Sequence, residues 1–158
     1  MRIALQRVRR ANVCVGCETV AEIGTGLLLL AAFGPKDSPD SLEAGGRRTR
    51  MISKILNLRI FPDEKGVMNL SLVDHGGEVL VVSQFTLYAD CRKGRRPSYS
   101  GSLPSPDAKL AYEAFVQEMG HSFGKVRMGV FGADMDLELC NWGPVTIVLD
   151  SEELESAR

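Results

Sequence analysis

Residues 2–8 alternate weakly between apolar and polar and predict a first strand. Residues 12–15 and 19–23 flank Gly16-Cys17, which predicts a hairpin. Gly24-Thr25-Gly26 then turns the chain into residues 27–33, a continuous apolar run. Such a run suits a central strand covered on both faces. Ser38 with Pro39 predicts a helix start, with Leu42, Met51, Ile52, Ile55 and Leu56 on its buried face. Gly45-Gly46 weakens that helix, and Arg47, Arg48, Arg50 and Lys54 crowd its polar side. Those cations read as a solvated face or as a flank for phosphate.

Short strands follow over residues 58–61 and 68–73, separated by a Pro62 to Gly66 turn signal. His75-Gly76-Gly77 leads into the strongly apolar Val79-Leu80-Val81-Val82, a buried strand. A second helix is expected with Ser105 as N-cap and Pro106 at its first position. Its stripe is Leu110, Ala111, Ala114, Phe115 and Met119. Residues 125–131 predict another strand. Residues 134–140 alternate cleanly, Asn141 to Pro144 break the pattern, and residues 145–149 resume as the last strand. The chain thus reads as one α/β domain over residues 1–150. Its sheets are layered and mostly antiparallel or mixed, with two main helices. Residues 151–158 read as a charged, frayed tail.

Composition narrows the function classes. A chain of 158 residues with 44% hydrophobic and 25% charged content is an ordinary globular protein, long enough for a core without staples. The formal net charge is −1, so any nucleic-acid contact must come from a local patch. Its 4 cysteines are too irregular for a disulfide scaffold. Cys14 and Cys17 form a CxxC across a hairpin turn; without a second pair for zinc, and away from a helix start, it reads as a structural accident. No N-terminal signal is apparent, and the apolar run at residues 27–33 falls far short of the roughly 20 residues of a membrane helix. Cytoplasmic residence without membrane contact is the expectation.

The chemistry is informative mainly by what is missing. There is no GxSxG, Walker A or HExxH, and His75 and His121 sit beside no nucleophile, so a hydrolytic triad is not expected. Both histidines read as surface residues. The stretch from residue 77 to 100 stands out. A buried strand delivers Ser83, Gln84, Phe85 and Thr86 to its C-terminal end, and the cations Arg92, Lys93, Arg95 and Arg96 follow. That arrangement suits a pocket for a neutral polar group beside a grip for phosphate. Taken alone, Ser and Thr hydroxyls at the end of a buried strand are more often satisfied turn groups than functional ones. Gly143-Pro144 between two strands is a plain turn or the site of a cis bond.

Four motifs occur in order: Ser83-Gln84-Phe85-Thr86-Leu87-Tyr88; Arg92-Lys93-Gly94 with Arg96-Pro97-Ser98; Phe131-Gly132-Ala133-Asp134-Met135; and Asn141-x-Gly143-Pro144-Val145-Thr146. Together they resemble the signatures of D-aminoacyl-tRNA deacylases. Gln6-Arg7-Val8, Leu58-Arg59-Ile60-Phe61 and Met68-Asn69-Leu70-Ser71-Leu72 fit too, so the likeness spans residues 1–150.

The resemblance implies a homodimeric α/β hydrolase with active sites at the dimer interface. Its substrates would be the esters of D-aminoacyl-tRNA and of glycine mischarged on alanine tRNA. Gly143-Pro144, cis, would reach into the partner's pocket, hold the substrate's α-amino group with its carbonyls and exclude an L side chain. Ser83, Gln84, Phe85 and Thr86 would form the catalytic strand end. There the backbone N–H groups of Phe85 and Thr86 polarise the ester carbonyl, and the 2′-hydroxyl of the terminal adenosine assists. With no base in view, Thr86 reads as a positioning group rather than a nucleophile.

Arg7, Ala133, Met135, Asn141, Val145 and Thr146 would support the pocket, with residues 131–135 on the adenine. Arg92, Lys93, Arg95 and Arg96 would meet tRNA phosphates. The implied partners are aminoacyl-tRNA and a second copy of the chain, not DNA or membrane, and no metal or cofactor is implied. Two features depart from the pattern. Trp142 stands where many members carry an acidic residue, and the arginine-rich residues 45–50 are less typical. A related type with a trans Gly-Pro tolerates an L-amino acid. The competing readings are a non-catalytic RNA-binding module and an ordinary hydrolase with Thr86 as nucleophile.

Overall fold

The computed structural model describes residues 1–41 and 44–156. Its frame is one bent strand, β1 (Arg2–Val15), longer than the two pieces that the alternation predicts. Along one edge it pairs first with β3 (Gly26–Ala32), from Arg2↔Ala32 to Val8↔Gly26, and then with β2 (Glu18–Ile23). Along the other edge it pairs with β8 (Asp136–Asp150) from Arg2↔Asp150 to Cys14↔Asp136. All three pairings are antiparallel. The sheet continues in parallel from β3 to β6 (Glu78–Ser83) and on to β7 (Val126–Met128). It is therefore a mixed sheet, as the expected fold class requires.

β3 and β6 lie in the middle, which explains their unbroken apolar runs. Leu27, Leu29, Ala31, Val79 and Val81 face α1 (Ala44–Asn57) and α3 (Ser105–Phe123), which contribute Met51, Ile55, Tyr112, Phe115 and Met119. On the opposite face, Leu28, Leu80 and Val82 are covered by Val8, Ala11, Val13, Ala21 and Ile23 from the bent β1–β2 ribbon. Each valine, leucine, isoleucine, methionine or phenylalanine among them contributes about 1.5–3 kcal/mol by leaving water. Gly26 is required where β3 meets β6, because a Cβ there would lie 1.9 Å from the Glu78 carbonyl oxygen.

Several local expectations are corrected. Ser38 and Pro39 do not start α1. Ser38 closes a 3-10 turn over Pro35–Asp37, and the described helix begins at Ala44; Leu42 lies outside the described residues. One arginine of α1 does not lie on a solvated face. Arg47 is only 2% exposed and pairs with Glu155 at 2.7 Å and with Asp37, which also holds the Met1 ammonium at 2.7 Å. Arg48 pairs with Glu118, and Arg50 with Glu155. These cations answer carboxylates of their own chain. The frayed tail is instead α4 (Ser151–Ser156), whose Ser151 is buried and accepts a hydrogen bond from Met1.

The region after α1 differs as well. Two residues, Phe61–Pro62, form β4, and β5 covers only Met68–Leu70. Residues beyond it turn into α2 (Leu72–His75) because Ser71 and Asp74 make a capping box. Asp74 N–H donates to Ser71 Oγ at 3.1 Å, and the Asp74 carboxylate accepts from Ser71 N–H at 2.9 Å. The Ser71 hydroxyl, which also donates to that carboxylate at 2.6 Å, and secondarily the Ser71 N–H hold the Asp74 carboxyl below its ordinary range.

α3 starts one residue early, with Pro104 rather than Ser105 at its N-cap. Leu110 is 53% exposed, and its place in the core falls to Tyr112. The Tyr112 hydroxyl donates to the Val81 carbonyl at 2.9 Å, and burial pushes its pKa up. The strand expected over residues 125–131 is confined to Val126–Met128. None of the described helices is long and apolar enough to cross a membrane.

Candidate active site

β6 ends at Ser83, and the parallel ladder to β3 reaches one residue further, with Gln84 N–H donating to the Ala31 carbonyl at 2.8 Å. The chain then tightens into a 3-10 turn over Phe85–Tyr88. The first N–H groups of a helical turn have no partner inside it. Those of Phe85 and Thr86 have no hydrogen-bond acceptor elsewhere among the described residues. The Gln84 side-chain amide donates to Thr86 Oγ1 at 2.6 Å. The Thr86 hydroxyl therefore has an amide beside it, and no carboxylate or imidazole among the described residues bonds to it. This is the environment of a positioned hydroxyl, not of an activated nucleophile.

The turn is braced from below. Arg2 donates to the Leu87 carbonyl at 3.2 Å, lies 4.5 Å over the Tyr88 ring and pairs with Asp150 at 2.9 Å. Burial of Asp150 opposes its ionisation, but hydrogen bonds from Glu152 N–H and Arg2 prevail and hold its pKa low. Burial also pushes the Tyr88 phenol up.

Ser83, Gln84 and Phe85 form one wall of a cleft of about 600 Å³; Ala133 and Met135, with Phe131, form another. Three of the four expected strand-end residues therefore meet the residues 131–135 segment in one place, and Thr86 lies just outside the lining. Tyr99, Leu103 and Phe33 also line the cleft, and sequence reasoning missed them. Tyr99, an aromatic in an otherwise polar, Pro- and Ser-containing stretch, was the one available signal.

Arg7, Asn141, Gly143, Pro144, Val145 and Thr146 form a separate cluster. The pattern break at residues 141–144 does not end a strand. β8 runs through it as a bulge, since Val8 pairs with Asn141 and Gln6 with Thr146, leaving Arg7 opposite the intervening residues. The Gly143-Pro144 peptide is cis, and Gly143 has φ +132°, a value open to glycine. Asn141 spans the bulge, accepting from Val145 N–H at 2.9 Å and donating to Thr146 Oγ1 at 2.9 Å. Arg7 donates to the Trp142 carbonyl at 2.9 Å and to the Ile60 carbonyl.

Two guanidiniums lie over the Trp142 ring, Arg7 at 4.4 Å and Arg9 at 3.8 Å. Burial, and secondarily Arg9, lower the pKa of Arg7. His75 is not a free surface histidine: it stacks on Phe61 at 4.6 Å and lies 6.0 Å from Trp142. His121 is exposed, as expected.

Within one chain these two clusters stand apart. Gly143 lies beside Arg7, which pairs with Leu27; Ser83 pairs with Ala31. Four residues of strand separate the two levels, about 13 Å. The cationic loop is a third feature. Asp90 and Ser98 close its neck, Gly94 turns it at φ +68°, and residues 91–100 are exposed. Arg92 folds back onto Asp90 at 2.6 Å. Lys93, Arg95 and Arg96 form no ion pair among the described residues. Cys14, Cys17, Cys91 and Cys140 are free thiols.

Residues 4–150 match the family model of D-Tyr-tRNA(Tyr) deacylase. The chain is 54% identical over 158 residues to a D-aminoacyl-tRNA deacylase of Solidesulfovibrio magneticus, covering 99% of each chain. It is 51% identical over 154 residues to one of Thermosipho africanus, covering 98% of this chain and 99% of the other. Among solved structures, the c-Myc DNA unwinding element binding protein superposes with a TM-score of 0.85 at 36% identity, over 95% of this chain and 98% of that one. A probable eukaryotic D-amino acid tRNA deacylase superposes with a TM-score of 0.79 over 94% of this chain and 97% of that one; at 20% identity it speaks for the fold alone. By the family match and by these relatives, the chain belongs to the D-Tyr-tRNA(Tyr) deacylase family and is a hydrolase of that type.

Proposed function

We propose that the chain cleaves the ester bond of D-aminoacyl-tRNA, and of glycine carried on alanine tRNA, releasing the free amino acid and tRNA. The observation that carries the reading is the pair of unpartnered N–H groups at Phe85 and Thr86, at the end of a buried strand and beside a cleft. An aminoacyl ester is already activated. Donors that stabilise the developing oxyanion, together with positioning, suffice to speed its hydrolysis. Gln84 orients Thr86, and Thr86 orients the substrate. The attack is assisted by the substrate's own 2′-hydroxyl rather than by a protein base. Residues 131–135 hold the terminal adenine.

The Gly143-Pro144 bulge acts as the selector for chirality. It is exposed and too far along the sheet to reach the cleft of its own chain, so a second copy supplies it. β8 supports a homodimer: its described pairing is with β1 alone, and Val148 on it is 68% exposed. The partner's Gly143 and Pro144 carbonyls then take the α-amino group and leave no room for an L side chain. Arg7 and Trp142 keep the bulge in shape. Lys93, Arg95 and Arg96 contact the tRNA phosphates, joined by Arg92 when it releases Asp90.

The test is the release of D-tyrosine and of L-tyrosine from charged tRNA. Release of the D form alone is the expected result. Equal rates on both would refute the chiral reading, and salt-sensitive tRNA binding with no hydrolysis would refute it in favour of a binding module.

A further inference from the structure

The cleft and the cationic loop are joined by a feature that the mechanism above leaves unused. Phe85 and Tyr99 form an edge-to-face pair with centroids 5.0 Å apart and planes at 68°. Both rings line the cleft, yet Phe85 is 51% and Tyr99 39% exposed. Two large aromatic side chains side by side in water forgo much of the burial that usually accounts for them, and they leave ring faces open to a partner. Their placement is fixed. Asp90 and Ser98 exchange backbone hydrogen bonds at 2.7 and 2.9 Å, which closes the neck of the loop. Tyr99 is the next residue, and its carbonyl accepts from Ser102 N–H at 3.0 Å. Tyr99 thus stands between the cleft and the unpaired cations Lys93, Arg95 and Arg96.

The cleft volume, about 600 Å³, lies within the range of ~300–1,000 Å³ typical of a site for one small ligand. It accommodates an aminoacyl group and its nucleoside, and the next nucleotide must leave over the rim. The acceptor end of tRNA is single-stranded. Single strands are held by cations along the phosphates and aromatic faces under the bases. The rim of this cleft presents both, in the order that such a strand would meet them. We infer that Tyr99, supported edge-on by Phe85, is the stacking platform for the base of the penultimate tRNA nucleotide, and that Lys93, Arg95 and Arg96 take the phosphates beyond it. The inference rests on the deacylase reading of the cleft and adds a nucleotide subsite outside it.

Two substrates separate this subsite from the cleft: D-tyrosyl-tRNA, which has a penultimate nucleotide, and D-tyrosyl-adenosine, which has none. Tyr99→Ala should raise KM for the tRNA about tenfold, in line with the usual worth of one base–aromatic stack, and leave kcat in place. Tyr99→Leu, which keeps apolar bulk without a ring, should behave like Tyr99→Ala, and Tyr99→Phe like the wild type. Because Tyr99 also borders the cleft, Tyr99→Ala and Tyr99→Leu should lose some activity on D-tyrosyl-adenosine, but several-fold less than on the tRNA. Equal losses on both substrates, no loss on either, or a Tyr99→Phe as poor as Tyr99→Ala would overturn the subsite. A second readout does not need turnover. An acceptor-end RNA with 2-aminopurine at the penultimate position should be quenched on binding to wild type and not to Tyr99→Ala. Quenching without hydrolysis of either substrate would sink the deacylase reading and keep the platform; hydrolysis with equal quenching by both proteins would do the reverse.

Discussion

The cleft at the end of β6 and the bulge at Gly143-Pro144 are built by opposite means. The cleft offers backbone N–H groups, one amide–hydroxyl pair and apolar walls, with few side-chain bonds to its own chain. The bulge is held by Asn141 from within, by Arg7 from β1, and by two guanidiniums over the ring of Trp142. A pocket that must admit many side chains gains from walls that make few specific demands. A selector that must refuse one mirror image has to hold its carbonyls in place, since a small displacement would admit what it rejects. Under the proposed function, discrimination and catalysis fall to separate pieces of the chain, one over-determined and one open.

The most severe way to break this division is to deform the bulge. Gly143→Val puts a β-branched residue at φ +132°, with its Cβ 2.8 Å from an Arg7 nitrogen and 2.9 Å from Val145. Deacylation of D-tyrosyl-tRNA should fall about 100-fold, measured as kcat/KM, while the circular dichroism spectrum stays that of a folded protein. Arg7→Lys comes next. A lysine cannot serve the Trp142 and Ile60 carbonyls and stack on the indole at once. Stability should drop by about 1–3 kcal/mol in urea unfolding, since a buried acceptor loses its donor. The ratio of D- to L-tyrosine release should narrow more than the D rate itself falls. An unchanged ratio would remove Arg7 from the selector.

On the open side, effects should be smaller. Thr86→Ala removes one hydrogen bond to Gln84, so kcat should fall less than about tenfold. A loss of several thousand-fold would make Thr86 a nucleophile and reverse the contrast between the regions. The smallest effect concerns the brace under the cleft. The Asp150 pKa is lower in the folded chain than in the unfolded one. The stability that it contributes is therefore full above its unfolded value of about 4 and is lost as pH falls through the folded value. Asp150→Asn should lower Tm slightly at neutral pH, where the carboxylate's contribution is full, and flatten the fall of the Tm-versus-pH curve below about pH 4, so that the two proteins melt alike once Asp150 is protonated.

The open region was the more legible in the sequence. Val79 to Val82 could only be a strand buried on both faces, and its polar end at Ser83-Gln84 marked where a site begins. The bulge was half legible. Asn141, Gly143 and Pro144 are each strand breakers, so the sequence predicts an end where β8 in fact continues; the arginine across the sheet that accommodates the break lies 135 positions earlier than Trp142. Arg47 was misread for a related reason. Its partners Asp37 and Glu155 come from distant parts of the chain, and a helix pattern shows only its own neighbours. The capping box of Ser71 and Asp74 was a local signal overlooked.

The central claim is that the two regions meet only between copies. Subunit mixing tests it directly. Ala133→Trp fills the cleft, Gly143→Val disables the bulge, and each should be nearly inactive alone on D-tyrosyl-tRNA. If the site is shared, a mixed dimer of the two carries one cleft and one bulge that are both intact. Unfolding and refolding the variants together should then restore up to about half of the wild-type activity in each mixed dimer, one working site of two. If each site is built within a single chain, every site keeps its defect, and a mixture no more active than its parts would contradict the account.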